Sequence, residues 1–157
     1  MAVWDHLLRA GRRVTAVGVS DWHRPPAPIN RAAVRVLADA LTETAVLDGI
    51  RRGHVIVMRD ATTAPPVATA SCGSQTAGIG DALVCSTDDT LTMRIAAHDF
   101  RDGYVDFIWN AARMTSKPIG RGAVFSMPAS SGYLRAHLYA ADGSPVAITN
   151  PIYVTLR

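Results

Sequence analysis

From residue 64 to residue 157 the chain is a succession of short alternating segments set apart by turn signals. In the stretch LTMRIAA, Leu91, Met93 and Ile95 alternate with Thr92 and Arg94; in YLRAHLYA, Leu134, Ala136 and Leu138 alternate with Arg135 and His137. A period of two places apolar side chains on one face of a strand and polar ones on the other. The stretches PVATASC, ALVCS, TLTMRIAAHDF, YVDFIWN, AVFSM, GYLRAHLYAA and NPIYVTL all read as strands. Gly73-Ser74, Gly78-Ile79-Gly80-Asp81, Asp88-Asp89, Asp102-Gly103, Ser130-Ser131-Gly132 and Asp142-Gly143 punctuate them. Several short strands so closely spaced predict an antiparallel β-sandwich.

The first part of the chain has a different character. Val3, Trp4, Leu7 and Leu8 share one face of a short helix that Gly11 is placed to end. RVTAVGVS is nearly continuously apolar and predicts a strand buried on both faces, as in a parallel sheet. The polar stretch DWHRPPAPIN follows, and its prolines disfavour helix. AAVRVLADA is ambiguous, with the Val34–Arg35–Val36 alternation favouring a strand start. Thr42 can cap a helix through ETAVLDGIRR, with Glu43 at its positive end and Arg51-Arg52 at its negative end. Ala45, Val46 and Ile50 form its buried stripe, Gly53 stops it, and HVIVMRD follows as a strand. Strand, helix and strand in this order predict a right-handed parallel crossover. The fold class is therefore α+β: a short α/β segment over residues 1–63, then an antiparallel β-sandwich over residues 64–157, with the boundary in ATTAPP.

Composition limits the functional classes. Of 157 residues, 48% are hydrophobic and 18% charged, which is a globular balance. The net charge is only +3, and Lys117 is the sole lysine. Arg12-Arg13 and Arg51-Arg52 are pairs and not a basic run, so no nucleic-acid partner is expected. No apolar run reaches the roughly 18–20 residues that span a bilayer, so no membrane partner is expected either. MAVWDHLLRAGRR does not have the layout of a signal peptide, and a cytoplasmic location is the default expectation. On that basis Cys72 and Cys85 are expected to be reduced thiols; their spacing matches no zinc motif.

Asp21 and His23 stand at the end of RVTAVGVS, an acid and an imidazole two positions apart. Together with three further stretches they carry a resemblance. WDHLLRAGRRVTAVGVSDWH, LTETAVLDGIRRGHVIV, GIGDAL and LRAHLYAADGSPVAITNPIYV resemble the C-terminal part of PHP-type metallohydrolases of the CehA/McbA family. The resemblance covers most of this chain but only the end of the family's catalytic domain. It implies the end of a distorted β/α barrel followed by a β-rich region. It also implies that Ser20-Asp21-Trp22-His23 matches the late SDxH motif, in which Asp21 and His23 are metal ligands. A carboxylate and an imidazole suit Zn²⁺, Mn²⁺ or Fe²⁺. Trp22 and Arg24 are the candidate pocket residues, Arg24 facing an anionic substrate. The family's early His-x-His motif and its middle acidic and histidine ligands have no counterpart here, whereas a catalytic metal commonly takes three or more protein ligands.

Other groups have simpler uses. No helix follows Gly78-Ile79-Gly80-Asp81, so a hairpin or bulge is expected there, not a phosphate loop. His6, His54, His98 and His137 have no partner at ligand spacing. Asn150, before Pro151, is expected to tie down a turn. Two functions follow. In the first, the chain is a fragment or remnant of a metal-dependent hydrolase acting on a small-molecule ester, inactive alone and completed by upstream sequence or a partner chain. In the second, it is a non-catalytic β-sandwich module for assembly or protein interaction. A cut barrel with an open strand edge also predicts self-association.

Overall fold

The computed structural model describes residues 2–23, 25, 31–100 and 102–157, among which two short helices accompany twelve strands. The molecule is α+β and β-rich, and almost all its pairing is antiparallel. None of the described helices is long and apolar enough to cross a membrane.

Helix α1 (Ala2–Arg9) buries Leu8 and ends at Gly11, whose φ of 76° is left-handed, as expected of a stop glycine. Strand β1 (Arg31–Val36) leads to α2 (Glu43–Arg52). The Thr42 hydroxyl accepts from the Ala45 N–H at 3.3 Å, and Gly53, at φ 79°, returns its N–H to the last turn. Strand β2 (Val55–Asp60) follows directly.

The expected parallel crossover is overturned. β1 and β2 pair antiparallel, from Arg31 opposite Asp60 to Val36 opposite Val55. Residues 37–42 carry the chain outward and α2 carries it back, so β2 starts beside the point where β1 ends. The Leu37 N–H donates to the His54 carbonyl at 2.9 Å and closes that junction.

RVTAVGVS does not form the expected buried strand either. Residues 12–23 belong to no ladder, and Val17 and Val19 are 55% and 76% exposed. The physical reason is occupancy: β2 already has β1 on one side and strand β11 (Pro145–Thr149) on the other. The segment therefore crosses the sheet's face. At Gly18 a Cβ would lie 2.5 Å from the Val57 side chain, so this crossing requires glycine.

The remaining strands are β3 (Val67–Cys72), β4 (Gln75–Gly78), β5 (Ala82–Cys85), β6 (Thr90–Ala96), β7 (Tyr104–Trp109), β8 (Ala112–Pro118), β9 (Gly122–Pro128), β10 (Gly132–Tyr139) and β12 (Ile152–Leu156). One sheet has the order β4-β3-β6-β9. In the eight-stranded sheet β10 is central. β7 runs along one side of it, backed by β8, while β12 and β11 share the other. β12 leads on to β5 in the one parallel pairing among the described strands, and β11 leads to β2 and β1. This sheet thus crosses the 63/64 position.

The two sheets face each other over one core. Leu91, Met93 and Ile95 of β6 point inward together with Phe107 of β7 and Leu134, Ala136 and Leu138 of β10, as their alternation dictates. Phe107 and Phe125 stack between the sheets with ring centroids 5.5 Å apart. Cys72 and Cys85 are disulfide-bonded, joining β3 of one sheet to β5 of the other, which corrects the expectation of reduced thiols. Both lie in the core, on strands that the packing of the sheets brings together.

Candidate functional site

Residues 12–23 are held in place by single polar contacts. The Trp4 indole donates to the Val14 carbonyl at 2.8 Å, and the Thr15 hydroxyl to the Ile50 carbonyl at 2.8 Å. Asn150 is fully buried and addresses Ala16 twice. Its Oδ1 accepts from the Ala16 N–H at 2.7 Å and its Nδ2 donates to the Ala16 carbonyl at 2.9 Å. Nδ2 also donates to the Val55 carbonyl at 2.8 Å. One amide side chain thereby replaces what a neighbouring strand would have offered Ala16. The expected turn-tying role of Asn150 is instead a long-range one.

Beyond this anchor come the candidate ligands. Asp21 has a left-handed φ of 48°, so the stretch is not extended there. His23 Nδ1 donates to the Asp21 backbone carbonyl at 2.6 Å. That contact requires the proton on Nδ1 and, in the neutral ring, leaves the lone pair on Nε2. Both side chains are exposed, and Trp22 beside them is 42% exposed. Arg24 lies outside the described residues. Among those residues no group of three or more His, Cys, Asp or Glu side chains is arranged to hold a metal.

A second polar constellation lies under α1, on the outer face of the eight-stranded sheet. Arg135 is 1% exposed, and its Nη2 is 2.6 Å from Asp5 Oδ1 of α1. The Trp4 ring covers the guanidinium, 4.9 Å from Cζ to centroid. Arg135 Nη1 also donates to His137 Nε2, which requires a neutral ring. Burial, reinforced by the Arg135 charge, lowers the His137 pKa from 6.5 to about 4. Asp106 lies opposite His137 on β7; it is buried, with Arg113 3.5 Å from Oδ2 and no partner on Oδ1 among the described residues. Tyr133 completes the cluster, its hydroxyl donating to Asp5 at 3.4 Å; burial and the Asp5 charge raise its pKa.

The alternation in YLRAHLYA assigned Arg135 and His137 to the polar face but could not show that α1 covers it. The detectable signal was Asp5, the only acid of α1, directly after Trp4 in that helix. His54, which has no sequence neighbour at ligand spacing, meets Asp81 across the fold, Nε2 to Oδ1 at 2.9 Å.

Chemically, the exposed stretch can offer a carboxylate and an imidazole nitrogen. The buried cluster positions that stretch by docking α1. Comparison with protein-family models, with curated proteins and with solved structures finds no match for this chain.

Proposed function

We propose that this chain is the late portion of a metal-dependent hydrolase of the PHP type, similar to the CehA/McbA family. In this reading residues 1–63 carry the family's late motif without its parallel barrel strands, since β1 and β2 pair antiparallel. Asp21 and His23 supply two ligands of a divalent-metal site, and the others come from upstream sequence or a second chain. The observation that carries the reading is a mutual grip. The two stretches in which the resemblance is most specific, Trp4–His23 and Leu134–Val154, hold each other through Asp5–Arg135, Trp4–Arg135 and Ala16–Asn150. The β-region then acts as the scaffold that fixes the late motif.

The donor chemistry fits two coordination positions, because His23 keeps Nε2 for a ligand and Asp21 adds a carboxylate. A Zn²⁺, Mn²⁺ or Fe²⁺ ion held there would contribute Lewis acidity toward hydrolysis of a small-molecule ester. Trp22 and Arg24 would stand beside the substrate. With two ligands the chain alone has no appreciable turnover. The exposed Val17 and Val19 give the missing half, or a second copy, apolar surface to cover.

The test is metal content after loading with Zn²⁺ or Mn²⁺, together with hydrolysis of a generic phosphodiester and a carboxylester. The expected result is weak metal retention, lost in Asp21→Ala and His23→Ala, and no turnover. Retention indifferent to both substitutions would remove the ligand assignment and leave the second reading, a non-catalytic β-sandwich module for assembly.

A further inference from the structure

An apolar cleft of about 360 Å³ opens where the edges of the two sheets meet. β1 and β2 wall one side, and β3 with the turn after β4 walls the other. Pro65, Pro66, Val67 and Ile79 supply an apolar lining, and only Arg35 and His54 bring charge-bearing side chains to it. Its volume lies within the roughly 300–1,000 Å³ of small-molecule sites, which combine apolar walls with a few placed polar groups.

Arg35 is the unusual member. Its Nη2 donates to the Ala61 and Thr63 carbonyls, the latter at 3.3 Å, which fixes the guanidinium without neutralising it. Among the described residues no carboxylate pairs with it. Its Nε is buried and has no acceptor among the described residues. A fixed cation on an apolar cavity, with no carboxylate partner among the described residues, calls for an anion that carries an apolar body. His54 is held by Asp81 and forms a fixed wall.

We propose that this cleft binds a small apolar carboxylate, with its carboxylate on Arg35 and its hydrocarbon part against Pro65, Pro66 and Val67. The site does not depend on Asp21 or His23, so it stands or falls apart from the hydrolase reading.

Benzoate is the probe, titrated into the full 157-residue chain while backbone amide resonances are followed by NMR. Saturable shifts are expected at Val36, Ile56 and Val67. Benzyl alcohol, of similar shape but uncharged, is expected to bind about tenfold more weakly or worse, the usual loss when a charge-assisted hydrogen bond is removed. Arg35→Met is expected to erase that preference. Where Arg35→Met does not fold, Val67→Trp serves instead: Val67 is 56% exposed at the mouth, and a larger ring there closes the cleft with Arg35 intact. Equal binding of benzoate and benzyl alcohol, shifts confined to another surface, no saturation at millimolar benzoate, or full affinity in Val67→Trp would each overturn the proposal.

Discussion

β6 and β9 exchange a ladder that runs unbroken from Thr90 opposite Pro128 to Ala96 opposite Gly122, over side chains sealed in the core. Residues 12–20 lie on the same molecule with no ladder and meet it through Trp4, Thr15 and Asn150, with Arg13 over the Tyr153 ring and Gly18 against Val57. In the first region each residue is held by many neighbours, so removing one contact leaves the others in place. In the second, a few scattered contacts fix the whole segment. The comparison teaches that the candidate ligands hang from the part of the molecule with the fewest redundant supports.

Four experiments can sharpen or break this contrast. Phe107→Ala removes a ring from between the sheets and is expected to cost about 3–5 kcal/mol in urea unfolding. A loss confined to β7 amide exchange would mean that the sheets are not one cooperative unit.

Asp5→Ala leaves Arg135 buried without its partner, which costs about 3 kcal/mol or more in comparable sites. Here the loss is expected in the docking of α1: faster amide exchange at Val14–Ala16 while β6 stays protected. The double variant Asp5→Leu/Arg135→Met is expected to restore much of the docking, since an apolar pair of similar volume can replace a buried ion pair. If β6 exchange rises in step, the two regions are not separable.

Reducing the Cys72–Cys85 disulfide, which spans 13 residues, is expected to lower stability by about 3 kcal/mol by releasing the unfolded chain. Alkylation of the unreduced, denatured protein should label no thiol.

The last effect depends on acidity. The folded state holds His137 near pKa 4 while the unfolded chain has 6.5, so the unfolded state binds more protons between these values. Stability contributed by the neutral ring is full above pH 6.5 and declines as pH falls toward 4. His137→Gln should flatten that part of the profile and leave the neutral-pH end nearly unchanged. An identical slope in the variant would assign the decline to other groups.

Much of the β-region was legible because its strands are half-buried: Leu91, Met93 and Ile95 declare one face, and the turn residues declare where each strand stops. α2 was legible through Thr42 and Gly53, whose caps are local. β8 was not, since ARMTSKP is a solvent-facing edge strand without apolar alternation, paired only through β7. β4 was missed because QTAG has no apolar alternation, and β11 because Val146, Ala147 and Ile148 form a short run without alternation. RVTAVGVS misled for the opposite reason. Its apolar run describes a segment that could be buried, but whether it is depends on a place beside β2 that Thr149 and its neighbours in β11 occupy. Similarly, the Arg135 side chain was assigned to the polar face correctly, yet its burial depends on a helix 130 residues away in sequence. At the candidate site the residue types were readable. The left-handed turn at Asp21 was not, because an aspartate there is compatible with several backbone conformations.

The place of β2 in its sheet also has a consequence for synthesis. Met58 pairs with Ala147, so one side of β2 stays open until β11 has been made. Contacts of such sequence separation form late and slowly. While the nascent chain grows, β1 and β2 can pair only with each other, and a two-stranded ribbon is marginal on its own. During that interval the apolar edge of Val55–Met58 is available to chaperones or to neighbouring nascent chains. A premature stop before Pro145 would therefore leave β1 and β2 without their partner as well as removing the strands that follow.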